Sequence, residues 1–130
     1  MELRTFEAGN VTFVVKELHT RNGDGMSVGV RSHQSLGDVL IIRFDWFPDC
    51  PHYHYNPGQP QGREIPLDSA LLGDTVDWFL DRLPDRLPAM IDRAGFPAIA
   101  QAIDAGAVRG VMAQVKRAAK DIASAVRPVS

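Results

Sequence analysis

The residues of this chain that could carry chemistry are concentrated in one short segment, residues 50–58 (CPHYHYNPG). It contains the only cysteine, two of the four histidines and both tyrosines. Alternate side chains of an extended strand share a face, so Cys50, His52 and His54 would lie on one side and the tyrosines on the other. Imidazole and thiolate bind transition metals, and imidazole also carries protons near neutral pH. The spacing therefore predicts a metal site or a proton-transfer site.

A metal ion would need ligands from outside this segment. Side chains two residues apart on a strand start about 6.5–7 Å apart, from where two imidazoles can converge on an ion at about 2.0–2.1 Å. In a meander, two earlier strands would finish at the same end of the sheet as the start of this segment, and they would supply His19 and Asp45. The candidate metal ligands are His52, His54, Cys50, Asp45 and His19. If a cofactor is bound, we expect a divalent metal such as zinc; otherwise the histidines only form hydrogen bonds along an edge strand.

The same face of the sheet could also bind a ligand or transfer protons without a metal. Arg43 and Asp45 alternate on the polar side of the segment VLIIRFDW, and pairing with the next strand would place them beside His52 and His54. Arg43, His52 and His54 are therefore candidate ligand-binding residues, since arginine binds anions and histidine beside a carboxylate transfers protons. Cys50 and His52 are poorly placed to act as a nucleophile and its base. Direct proton transfer needs about 2.6–3.2 Å, whereas side chains two residues apart on a strand start about 6.5–7 Å apart. The alternative to a binding site is that Arg43 and Asp45 form only an ordinary surface ion pair.

Strands come first in the predicted order of elements. Three segments alternate apolar and polar residues over the length of a strand: 11–18, 26–32 and 39–46. Glycine-containing turn signals separate them, including Asn-Gly and Asp-Gly. Residues 49–55 predict a fourth, shorter strand at the edge, because Pro51 lacks an amide donor for the ladder. The sequence thus predicts an antiparallel meander of three to four strands within residues 11–55.

Helices follow an irregular connection at residues 56–67. Asp74 is placed to cap a first helix, and Pro84 or Pro88 to stand in the first turn of a second. Pro97 would open a third, and the last would run from about 107 to 126 with a basic outer face. Strands followed by helices predict a single α+β domain in which about four helices, within residues 68–127, cover one face of the sheet.

The composition is that of an ordinary globular domain, with 130 residues, 45% apolar and 23% charged. A net charge of −2 argues against nucleic acid as the main partner. An acidic middle and a basic last helix could pair within the chain or across a homo-oligomer. A single cysteine cannot form an internal disulfide, and no apolar run is long enough to span a bilayer. We therefore expect a cytoplasmic protein without membrane contact.

Residues 42–46 (IRFDW) and 51–58 (PHYHYNPG) resemble an uncharacterised bacterial family, a domain of unknown function with a shared His-Tyr-His-Tyr-(Gly/Asn)-Pro segment. The resemblance continues through three shorter segments: IPLD at 65–68, LPAM at 87–90 and AGF at 94–96. It covers roughly residues 40–96 and implies a small cytoplasmic bacterial protein, with no established activity.

A second similarity is to small toxin components of toxin–antitoxin pairs, which combine a short meander, an Arg-x-Asp strand and a Pro-His-x-x-His-type segment. Arg43 and Asp45 fit that strand. The segment here is Pro-His-Tyr-His, however, with different spacing, and a long helical tail follows. The chain departs from the toxin pattern at both points.

Three functions follow from these residues. The leading hypothesis is a binding or regulatory domain with a histidine-centred polar patch, with or without a bound metal. The second is a metal-dependent or histidine-based hydrolase or nuclease that uses the same residues. The third is a structural module that forms a homo-oligomer. Whether the protein is an enzyme is left open by the sequence.

Overall fold

The computed structural model describes residues 3–21, 23–34 and 37–126, and these residues form an α+β fold. The strands are β1 (Leu3–Ala8), β2 (Val11–Thr20), β3 (Gly23–Gln34), β4 (Gly37–Trp46), β5 (His52–Tyr55) and β6 (Arg63–Pro66). The helices are α1 (Ser69–Leu72), α2 (Thr75–Arg93), α3 (Pro97–Gln101) and α4 (Ala105–Ala125). The predicted order, strands before helices, is confirmed.

The strands form one antiparallel sheet in chain order, from β1 at one edge to β6 at the other. The predicted count of three to four strands was wrong, because both edge strands were missed. β1 alternates exposed Leu3, Thr5 and Glu7 with less exposed residues, so it lacks an apolar run. β6 lies within the segment assigned to an irregular connection. Pro51 therefore does not mark an edge strand: it precedes β5, and its carbonyl accepts a hydrogen bond from the Leu67 amide at 2.9 Å.

The helices cover one face of this sheet. α4 packs against β1, β2 and β3, and α2 packs against β4. Beneath them every second strand residue is buried and apolar, as the two-residue period of a strand requires; on β2 these are Val11, Phe13 and Val15. The intervening side chains, such as Lys16 on β2 and Arg43 on β4, lie on the opposite face. We call this second surface the open face.

β5 joins the core through its two tyrosines. The Tyr53 ring lies 5.2 Å from the ring of Phe79 on α2, and Phe79 stacks on Phe44 of β4 at 4.7 Å. Tyr55 is 6% exposed and meets Tyr53 edge-on at 5.5 Å. These contacts fix which way β5 faces, since its tyrosines and its histidines must lie on opposite sides.

α2 is one helix of 19 residues, where the sequence predicted a break at Pro84 or Pro88. Each proline removes one backbone donor from the helix, yet both lie inside it. Pro84 is buried together with Leu83 and Leu87, so tertiary packing offsets the lost hydrogen bonds. Asp74 caps the start of the helix, as predicted, by accepting from the Asp77 amide at 3.0 Å.

The acidic middle and the basic last helix pair within the chain. Lys116 on α4 contacts Asp81 at 2.7 Å, and Lys120 contacts Asp77 at 2.7 Å. These two lysines hold the pKa of Asp77 below its usual value. The ion pairs link α4 to α2, and a homo-oligomer stays a prediction. Within the described part of the chain, no helix has both the length and the hydropathy needed to cross a membrane.

Burial of Tyr55 leads to an alkaline stability prediction. Loss of hydration raises the pKa of its phenol to about 12. Between about pH 10 and 12 the unfolded chain loses this proton while the folded chain keeps it, so stability falls as the pH rises. From about pH 9 to about pH 11, we expect wild type to lose about 1.3 kcal/mol more free energy of unfolding than Tyr55→Phe, measured by urea titration. Parallel losses in the two proteins would contradict the assignment.

Candidate metal centre

The two histidines of β5 lie on the open face, away from the helices. His54 pairs in register with Arg43 on β4 and with Glu64 on β6, and His52 pairs with Asp45. All five side chains line one cavity of about 470 Å³, together with Cys50, Phe47, Leu18 and Thr20. The structure therefore assembles the predicted polar patch from three adjacent strands.

Asp45 and both histidines bring ligand atoms to one point. The His54 Nε2 lies 3.1 Å from Asp45 Oδ2, and the His52 Nε2 lies 3.5 Å from the same oxygen. A tetrahedral ion bound at about 2.0–2.1 Å has ligand atoms about 3.3–3.4 Å apart. All three groups offer a ligand atom within 4.8 Å of one another. The spacing thus suits one ion held by two imidazoles and a carboxylate.

His52 is fixed in the tautomer that binds metal through Nε2. Its Nδ1 lies 2.8 Å from the Cys50 carbonyl, which can only accept, so Nδ1 carries the proton. In the neutral ring, Nε2 then presents its lone pair to the cavity. The ring also stacks beside Phe47, with centroids 6.0 Å apart. A backbone carbonyl that orients a ligating histidine is a common support for metal sites.

Phe47 owes its position to a glycine on β3. Phe47 is 4% exposed, and a Cβ at Gly25 would lie 2.7 Å from its ring and 2.4 Å from the Trp46 carbonyl oxygen. Real Cβ atoms do not approach backbone that closely. The absence of a side chain at Gly25 therefore allows Phe47 to pack beside His52.

Burial favours the neutral form of the His54 imidazole. Its side chain is 18% exposed, and loss of hydration lowers the pKa of the imidazole below its usual value, although the Asp45 charge acts in the opposite direction. A neutral imidazole is the form that ligates metal. Without a metal, Nε2 donates a hydrogen bond to Asp45 Oδ2. Ligation through Nε2 would therefore require the other neutral tautomer, in which the proton is on Nδ1.

Arg43 holds the shared carboxylate. Its Nε donates to Asp45 Oδ1 at 2.7 Å and a terminal nitrogen donates to Oδ2 at 2.9 Å, a two-point contact. Asp45 is 6% exposed, so this contact compensates for removing its charge from water. Each carboxylate oxygen has two lone pairs, and Oδ2 therefore still faces the histidines. In this structure Arg43 supports Asp45, and its predicted part in ligand binding stays a prediction.

Two predicted ligands are not among the three converging groups. His19 faces the helical side of β2, where its Nδ1 contacts Asp24 Oδ1 at 2.8 Å and its Nε2 contacts Glu17 at 3.6 Å. Asp24 raises the pKa of His19. Cys50 lines the cavity but is exposed, and it contributes its carbonyl rather than its thiol to the orientation of His52.

Sequence reasoning missed Glu64. Its Oε1 lies 3.6 Å from His52 Nε2 and 3.8 Å from His54 Nε2, and its side chain is 61% exposed. The available signal was the hairpin: if residues 63–66 pair with β5, Glu64 must lie opposite His54. We call Asp45, His52, His54 and Glu64 the His/Asp cluster.

The model of one protein family, described as "Domain of unknown function (DUF7700)", matches residues 5–119. The match includes the entire His/Asp cluster and extends well beyond the residues 40–96 on which the resemblance rested. No curated protein and no solved structure matches the chain.

The contact between Arg43 and Asp45 predicts a large effect from a single substitution. Arg43→Met leaves a mostly buried carboxylate without its two-point partner, and we expect the free energy of unfolding to fall by about 1–3 kcal/mol in urea titrations at neutral pH. Arg31→Met is the matched control on the same face. Its exposed contact with Asp38, at 3.8 Å, is worth less than about 0.5 kcal/mol. Equal losses in both variants would contradict a special role for Arg43.

Proposed function

We propose a metal-binding function for this chain, which belongs to the DUF7700 family of domains of unknown function. The ion is a divalent transition metal of the zinc or iron class, and its protein ligands are His52, His54 and Asp45. The observation that carries the proposal is the convergence of two imidazole Nε2 atoms on one carboxylate oxygen, at 3.5 and 3.1 Å.

The donor set supports this choice of metal. Two imidazoles and one carboxylate suit zinc, and the same combination with open positions suits ferrous iron. Calcium and magnesium prefer oxygen ligands in larger numbers. Two of the three ligands also have a support: the Cys50 carbonyl for His52 and the Arg43 guanidinium for Asp45. Such supports are typical of sites that bind tightly.

Metal titration of untagged protein tests the proposal. We expect zinc at about 100 times its dissociation constant to raise the free energy of unfolding by about 2.7 kcal/mol, because it binds only the folded chain. In isothermal titration calorimetry, His52→Ala, His54→Ala and Asp45→Asn should each weaken zinc binding by more than about tenfold.

The control variants are His19→Ala and His33→Ala, which remove the two histidines outside the cluster and should bind zinc as wild type does. His33 is held by Asp38 at 3.1 Å. Stoichiometric binding that survives the loss of both His52 and His54 would refute the assignment, as would an unchanged melting temperature with zinc, nickel, manganese and ferrous iron.

A second candidate function is metal-dependent hydrolysis. Three protein ligands leave a tetrahedral ion with one open position, where a water molecule or a substrate would bind. Glu64 supports this alternative, since its carboxylate lies within 4 Å of both histidine nitrogens and is exposed to the cavity. With an ion bound, Glu64 would be the group that takes a proton from the water.

The hydrolase alternative is tested with an activated phosphodiester, bis(p-nitrophenyl) phosphate. We expect zinc-loaded protein to release p-nitrophenol and Glu64→Gln to slow that release by about 100-fold or more, while its zinc affinity changes by less than about tenfold. Loaded wild-type protein that is no faster than free zinc would leave a binding domain as the function.

A further inference from the structure

A second cleft lies on the opposite side of the same two strands, between α2 and the β5–β6 pair. We call it the aromatic cleft. Its first part is an apolar hollow of about 350 Å³, bounded by Tyr53 on β5 and by four residues of α2: Trp78, Phe79, Leu83 and Met90. A hollow of this size and lining is suited to a small apolar group rather than to water.

The second part of the cleft is polar and encloses about 420 Å³. Tyr55, Gln61, Arg63 and Arg93 line it. The two parts adjoin, because Tyr55 meets Tyr53 edge-on at 5.5 Å and Arg93 follows Met90 by one helical turn. One molecule with an apolar body and a polar end can therefore occupy both.

The charges along the cleft have one sign. Four arginines line its two parts: Arg63, Arg82, Arg86 and Arg93. Among the described lining residues none is acidic, and none of these arginines is paired with a described carboxylate. Arginines elsewhere do have such partners, for example Arg109 with Asp85 at 3.0 Å. Guanidinium groups that line a cavity and have no carboxylate partner are suited to binding an anion.

The aromatic rings hold these cations near the cleft. The Arg82 guanidinium lies 4.3 Å from the centre of the Trp78 ring, and its nitrogen donates to the Trp78 carbonyl at 2.8 Å. The Arg93 guanidinium lies 5.7 Å from the centre of the Tyr55 ring. Such contacts restrict a long side chain and reduce the entropy lost on binding.

We propose that the aromatic cleft binds a small aromatic anion, a planar ring that carries a phosphate or a carboxylate. The ring lies against Tyr53 and Met90, at the end of the hollow that adjoins Tyr55, and the anionic group is held by Arg63 and Arg93. This site is separate from the His/Asp cluster and does not depend on a metal, since alternation along β5 directs the tyrosines and histidines to opposite faces.

Isothermal titration with 1-naphthyl phosphate and 1-naphthoate tests this proposal and distinguishes the two anionic groups. We expect at least one to bind more tightly than about 1 mM, and both 1-naphthol and inorganic phosphate to bind more than about tenfold more weakly. Arg63→Gln and Arg93→Gln should each weaken the preferred probe by about tenfold to hundredfold. The shift of the Met90 methyl signal in proton–carbon NMR spectra locates the probe.

Two control variants show whether the probe occupies the aromatic cleft. Arg117→Gln removes an exposed arginine of α4 that lies outside the cleft, and should leave binding unchanged. His52→Ala with His54→Ala should also leave it unchanged, because those residues belong to the other face. Probe binding that is insensitive to Arg63→Gln and Arg93→Gln would refute the proposal, as would failure of both probes to bind at about 1 mM.

Discussion

The two-residue alternation of β4 and β5 is the constraint on which both the core and the His/Asp cluster depend. Phe44, Tyr53 and Tyr55 face the helices, while their chain neighbours Asp45 and His54 face the other way. A strand pair shifted by one residue would bury the histidines among apolar side chains and expose the tyrosines. Core packing therefore determines where the ligand atoms lie.

A mostly buried carboxylate on the open face, that of Asp45, positions the other side chains of the His/Asp cluster. Asp45 is costly to bury alone, and the neighbouring groups reduce that cost: Arg43 by a two-point contact, His54 by a hydrogen bond. The same contacts hold the histidine nitrogens at metal-binding distance before any ion arrives. A site assembled in this way loses little conformational entropy on binding.

Much of this arrangement could be predicted from local pattern. Alternation in residues 39–55 predicted that Asp45 and both histidines would meet, because register follows from the period of a strand. Glu64 and β1 could not be found in that way, since a four-residue strand that ends in proline and an edge strand with exposed polar residues lack an apolar run. Pro84 and Pro88 predicted a break in α2 that tertiary packing of Leu83 and Leu87 overrides. His19 was misplaced because the prediction considered which end of the sheet it occupies but not which face.

Gly25 lies outside the His/Asp cluster, yet a substitution there would disturb the cluster. Phe47 occupies the space that a side chain at Gly25 would need, and His52 rests against Phe47. A methyl group at Gly25 would displace the Trp46–Phe47 backbone and remove the surface that supports the imidazole. Substitution at Gly25 should therefore be as damaging as substitution of a ligand, although Gly25 has no side chain to bind anything. A glycine shared across the family at this position would reflect a packing requirement and not a chemical role.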